Sequence, residues 1–186
     1  MKIKYRILLY TFVFCLSLLL AFAYYNFKKD DNITILSEMI DNKAIIDLDS
    51  FCFYSKHQTN VSNIINSKYK YIYYFDSTCC SPCVMNKLSV ESTISKEHPI
   101  DNLSFIYVFD VSPKDTAIFY DNYNFSDLSE DVFLDTAHLI IKKNKYITSN
   151  PITHTFLIDE NRIIRLVGNP VKNDKVEELL FKITNK

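Results

Sequence analysis

Tyr69-Lys70-Tyr71-Ile72-Tyr73-Tyr74-Phe75 runs directly into Asp76-Ser77-Thr78-Cys79-Cys80-Ser81-Pro82-Cys83. The first seven residues are almost all aromatic or β-branched, the composition of a strand buried on both faces, as in a parallel sheet. Cys80-x-x-Cys83 follows at once, and a helix is predicted from near Cys80 to before Pro99, with Val84, Met85 and Leu88 on one face. A thiol in the first turn of a helix feels the macrodipole and free backbone N–H groups, and both stabilise its thiolate. Pro82 costs little in a first turn, where its missing N–H has no intrahelical partner to lose. The spacing therefore sets Cys80 as an exposed attacking thiol and Cys83 as a more buried resolving one. Two other readings of a lone CxxC are weaker. Zinc wants four ligands, no second CxxC exists, and His138 or His154 with Cys79 would have to complete the set. A structural disulfide over so short a loop constrains little of the unfolded chain.

Outward from this segment, Lys43–Leu48 and Phe51–Tyr54 read as short strands, joined in a hairpin through Asp49-Ser50. Leu103–Phe109 is a second buried strand, Asp115–Tyr123 is helical and Val132–Leu134 is a short strand. His138–Lys145 forms a short helix with Leu139 and Ile140 inward. Phe156–Asp159 and Ile163–Val167 make a hairpin around a two-residue turn at Glu160-Asn161. The last helix takes Asp174 as N-cap with Glu177 three residues on, and Val176, Leu179, Leu180 and Ile183 recur at helical spacing. This order implies an α/β fold: a three-layer sandwich with a mixed central sheet.

The chain of 186 residues is long enough for one domain with a real core, and its 48% hydrophobic content excludes a disordered chain. A net charge of −1 without a clustered basic face gives no footprint for nucleic acid. With one glycine in the whole sequence, turns must rely on Asn, Asp and Ser. At the N-terminus, Ile7 to Tyr25 carry no charge, a length that suits a hydrocarbon layer. Lys2, Lys4 and Arg6 precede that run and keep the N-terminus cytoplasmic. Ala21-Phe22-Ala23 also fits a cleavage site. Residues 1–27 are thus a signal anchor or a signal peptide, 28–42 a polar tether with an amphipathic turn at Ile33–Ile40, and 43–186 the exported domain. Cysteines placed outside the cytoplasm serve as staples or redox centres. Cys15 lies in the apolar run. Cys52 has no motif and reads as a small buried hydrophobe, with Cys79 as a possible partner. His57 and His98 read as surface residues.

The segment Tyr73–Cys83, together with Thr155-Phe156-Leu157-Ile158-Asp159-Glu160-Asn161 and Ile163–Gly168, resembles the thioredoxin superfamily, in particular its membrane-tethered TlpA/ResA-like branch. The resemblance covers roughly residues 43–184. It implies a thioredoxin-like fold and a thiol–disulfide oxidoreductase of the bacterial cytoplasmic membrane, facing the periplasm. Cys80 would be its nucleophile and Cys83 its resolving residue. Reduction of exported cysteine-containing proteins is implied, fed by a membrane thiol donor, with no cofactor. Two departures stand out. Tyr74 occupies the position of the buried carboxylate found in cytoplasmic thioredoxins, which leaves Asp76 or water as proton acceptor. The cis-proline of the loop that contacts substrate falls on Thr153, with Pro151 two residues earlier, so either the loop is longer or the cis-proline is absent, and a trans bond is expected at Thr153. Cys79-x-x-x-Cys83 with His154 is also similar to the Sco-like copper chaperones, which would make Cys79, Cys83 and His154 copper ligands.

Overall fold

The computed structural model describes residues 2–57, 59–91, 100, 102–148 and 150–185, without the side chains of 2–9, 11, 26–33 and 89–91. Two compact units result, residues 1–37 and residues 38–186. The first is the greater part of one helix, α1 (Lys2–Met39). Helix therefore continues through most of the segment read as a tether. Tyr10 and Phe12–Tyr25 are all exposed on α1, and Ser17 donates its hydroxyl to the Phe14 carbonyl within the helix at 2.7 Å. Among the described residues no helix is long and apolar enough to cross a membrane. The expected span 7–25 also includes Ile7–Leu9 and Thr11, whose side chains lie outside the described ones.

The second unit is built on a six-stranded mixed sheet in the order β1-β4-β3-β2-β5-β6. Its strands are β1 (Cys52–Tyr54), β2 (Tyr69–Phe75), β3 (Leu103–Asp110), β4 (Val132–Asp135), β5 (Thr155–Ile158) and β6 (Ile164–Val167). The helices are α2 (Val61–Ile65), α3 (Ser81–Glu91), α4 (Thr116–Phe125), α5 (Leu139–Lys143) and α6 (Asp174–Thr184). β2 pairs with β3 in parallel over its full length, Tyr69 opposite Leu103 through Phe75 opposite Phe109. On its other side β2 pairs antiparallel with β5, Lys70 opposite Ile158 through Tyr73 opposite Thr155. This β-α-β unit flanked by an antiparallel hairpin and a closing helix is the thioredoxin-like arrangement.

Alternation divides the core between two faces. Tyr69, Tyr71 and Tyr73, with Tyr107, Phe109 and Leu134, share one cluster with Met85 and Leu88 of α3, Phe119 and Tyr123 of α4, and Leu180 of α6. Ile72, Tyr74, Ile106, Val108, Phe133 and Phe156, of the opposite parity, are equally buried. A core aromatic of this size contributes about 1.5–3 kcal/mol on burial, so β2 alone accounts for much of the packing.

The structure corrects several local readings. Lys43–Leu48 alternates between exposed and buried as a strand would, yet it forms only an isolated bridge, Lys43 with Ile163. Beyond the Ala44 N–H bond to the Arg162 carbonyl, Ile45 pairs with a side chain: Asn144 Oδ1 accepts from Ile45 N–H at 2.6 Å, and Asn144 Nδ2 donates to Ile45 O at 3.0 Å. No hairpin forms through Asp49-Ser50, since Leu48–Ser50 is a 3-10 turn and β1 pairs with β4. The loop between β5 and β6 is longer than two residues, with Arg162 at φ 64° and Asp159 accepting from the N–H groups of Asn161 and Ile163. The cap of α6 is Asn173, which accepts from Lys175 N–H at 3.0 Å, so Asp174 is the first helical residue; Leu179 faces solvent. The expected end of the helix after Cys80 lies outside the described residues, as does His98. Asx turns carry the bends as expected: Asn60, Asn150, Asn169 and Asn173 each cap the turn that follows. Gly168 is needed where it stands. At φ 125° a side chain would be strained, and its Cβ would meet Val176 Cγ2 at 3.1 Å.

Candidate functional site

The C-terminal end of β2 delivers Asp76, Cys79 and Cys80 to one end of the sheet, and α3 begins at Ser81. Cys80 is the residue before the helix, its carbonyl accepting the first helical bond from Val84 N–H at 3.0 Å. Cys80 and Cys83 are joined as a disulfide with α-carbons 5.3 Å apart. Cys80 is exposed, as expected. Cys83 is exposed too, against the expectation of a buried resolving residue, because Val84, Met85 and Leu88 take the inward face of α3. Cys52 is an exposed free thiol rather than a buried one, and it is not paired with Cys79. Cys15 is a free cysteine exposed on α1, and His57 lies at the surface as read.

Asp76 organises the turn before the cysteines. Its Oδ1 accepts from Thr78 N–H at 2.9 Å, from the Thr78 hydroxyl at 2.5 Å and from the Cys79 thiol at 3.5 Å. Its Oδ2 stands 3.9 Å from Nδ1 of His154, whose Nε2 lies 2.7 Å from the Thr148 carbonyl. Burial alone would raise the Asp76 pKa, but the Thr78 bonds, the Cys79 thiol and His154 outweigh it and hold the carboxyl below its ordinary value. For Cys79, burial first and then the Asp76 charge push the thiol up, so it stays protonated.

Thr153 is trans, as expected of a non-proline, since the described residues contain no cis bond. It lies in a 3-10 turn, fully buried, with its hydroxyl bonded to the Asn150 carbonyl at 2.8 Å. Its side chain is therefore packed inside the domain, between its loop neighbours Pro151 and His154. These two line a cleft of about 230 Å³ with Tyr73, Phe75, Cys79 and Lys87. A larger hollow of about 550 Å³, between Phe105, Tyr107, Ile64 and Glu130, holds none of the candidate residues.

Beneath the cysteines lies a polar chain that sequence reasoning missed. Tyr74 donates to Asp110 Oδ2 at 2.7 Å, and Asp110 Oδ1 is paired with Nδ1 of His138. Asp135 is fully buried and caps α5, accepting from the N–H groups of Leu139 and Ile140 at 2.8 Å each. The signal was a carboxylate closing each of two largely apolar strands, at Asp110 and Asp135. Among the described residues no group of three or more His, Cys, Asp or Glu side chains is placed to hold a metal. Cys79 and His154 share the cleft, while Cys83 is tied to Cys80, so the three residues of the copper reading are not brought together.

No protein-family model matches the sequence, and no curated protein does. Among solved structures, the chain is similar to the exposed lipoprotein thioredoxin Etrx1 of Streptococcus pneumoniae, at 17% identity over 72% of this chain and 99% of that one, with a TM-score of 0.49. It is also similar to StoA of Bacillus subtilis, at 19% identity over 60% of this chain and 81% of that one, with a TM-score of 0.43. A thioredoxin-like protein from Porphyromonas gingivalis is 16% identical over 63% of this chain and 74% of that one, with a TM-score of 0.42. Likeness at this level carries no argument about chemistry. The thioredoxin-like class rests on the strand order and on the cysteine pair at the head of α3.

Proposed function

We propose that this chain exchanges thiols and disulfides with protein cysteines outside the cytoplasm, acting as a reductase. The observation that carries the reading is the exposed Cys80–Cys83 pair at the N-terminus of α3. In the reduced chain the Cys80 thiolate attacks a partner's disulfide. One partner sulfur leaves as thiolate, and Cys80 holds the other in a mixed disulfide. Cys83 then attacks Cys80, the second partner thiolate leaves, and the chain carries the Cys80–Cys83 disulfide until a membrane dithiol donor reduces it. The two electrons stay on sulfur throughout, so no cofactor takes part. Residues 7–25 anchor the chain in the cytoplasmic membrane, with residues 43–186 on the periplasmic side and the segment 28–42 between them. The loop of Pro151, Thr153 and His154 faces the partner's backbone.

The decisive measurement is the reduction potential in glutathione buffers. A reductase is expected below about −250 mV, and a value near −120 mV would mark an oxidant and overturn the direction. Loss of insulin-disulfide reduction in Cys80→Ser tests the exchange itself; full activity in that variant refutes the role of Cys80.

A further inference from the structure

The cleft beside the cysteine pair is walled by the residues that flank the pair in sequence. Cys79 directly precedes Cys80, Val84 directly follows Cys83, and both line it. Phe75, Val84 and Leu88 give it apolar surface, and Lys87 of α3 and Lys172 of the 3-10 turn Pro170–Lys172 line it as well. Both lysines are exposed, and no acidic residue is among the described lining residues. Asp76 lies outside that lining and is bonded to Thr78 and Cys79.

This positive charge is local. Residues 38–186 hold 16 Lys and Arg against 20 Asp and Glu, a net charge of −4. The larger hollow has the opposite sign, with Glu130 and Asp131 and no lysine or arginine among its described lining residues. An acidic domain thus presents two cations from separate elements at the one cleft that adjoins the disulfide.

We infer that this cleft is a specificity subsite for acidic partners: it takes an extended segment of the partner chain with an Asp or Glu within about three residues of the cysteine that Cys80 attacks. The inference deepens the proposed function and rests on the reading that Cys80 is the nucleophile. Lys87 stands seven residues after Cys80, about 10 Å of helix rise. An extended chain advances about 3.3 Å per residue, so about three residues span that distance. An apolar side chain between the two rests on Phe75 and Val84, while the carboxylate meets the lysine ammonium groups. A basic residue at the same place is repelled, so the site selects by rejection as well as by attraction.

The test uses the full-length protein, reduced and held in a non-ionic detergent. Its probes are synthetic peptides whose single cysteine is a mixed disulfide with thionitrobenzoate, and the released chromophore gives the exchange rate. One series carries Glu, Gln or Lys three residues before the cysteine, and a second carries them three residues after it. In at least one series the rate is expected to fall about tenfold from Glu to Lys at low ionic strength. That difference should collapse near 1 M salt, where the screening length is about 3 Å. Lys87→Glu/Lys172→Glu is expected to invert the order. Equal rates for the Glu and Lys peptides in both series overturn the inference, and so does an order that the double variant leaves unchanged. The two readings fail differently. Release that is as fast in Cys80→Ser as in the wild type sinks the proposed function, whereas release that needs Cys80 but ignores the peptide's charge sinks this inference alone.

Discussion

The Tyr74 hydroxyl donates a 2.7 Å hydrogen bond to Oδ2 of Asp110, inside the sheet end that carries the cysteines. Burial first, then the bond and the Asp110 charge, raise the phenol's pKa. A raised pKa means the neutral phenol's contribution is complete below about pH 10, the ordinary tyrosine value, and is lost only above it. Tyr74→Phe leaves a buried carboxylate oxygen without its donor. A loss of about 1–3 kcal/mol in urea unfolding at pH 7 is expected. A change within error would show that Asp110 finds another donor at no cost.

Cys83→Ser should separate attack from resolution. Cys80 still attacks, but the mixed disulfide persists, since Cys79 could resolve it only by forming a disulfide with its own neighbour. Partner proteins trapped on the variant, released by dithiothreitol and absent from a Cys80→Ser/Cys83→Ser double variant, are the expected result. A variant that traps nothing argues that Cys80 is not the nucleophile.

Asp159 gives an acid-sensitive contact. Burial acts to raise its pKa, but the Ile163 N–H and Arg165, whose Nε donates at 2.8 Å, lower it overall. A depressed folded pKa contributes stability that is present above the ordinary carboxylate value near 4 and lost as pH falls through the folded value. Asp159→Asn should therefore cost about 1–2 kcal/mol at pH 7, with Arg165 partly exposed and screened. The two curves should converge toward pH 2–3 as the wild-type carboxyl is protonated. A constant gap from pH 7 to pH 3 would assign the effect to packing.

The proposed anchor makes a fractionation prediction. Full-length chain should pellet with membranes after alkaline carbonate washing, and deletion of residues 1–25 should release it. Recovery of a soluble form starting at Tyr24 would instead assign Ala21-Phe22-Ala23 as a cleavage site.

The aromatic run of β2 and the cysteines that follow it were legible because burial on two faces and a helix start both leave strong local patterns. The hairpin β5–β6 was legible for the same reason. Lys43–Leu48 has the period of a strand, but pairing depends on what lies beside it, and Asn144 is 99 residues away from Ile45. The exposure of Cys83 follows from which face of α3 meets the sheet, a property of packing rather than spacing. His138 stands at φ 57° against Asp110, and nothing in its neighbours announces either fact.

The register of β2 has a consequence for how the chain is made. Its partners lie far downstream, residues 103–109 on one side and residues 155–158 on the other. This aromatic strand and Cys79, Cys80 and Cys83 therefore leave the ribosome well before either neighbour exists. Such distant pairings close slowly, and an unpaired strand is prone to associate with others. For that interval the cysteines have neither the loop at Pro151–Thr153 nor His154 beside them, and incorrect disulfides or aggregates formed then would be set before the native fold could choose.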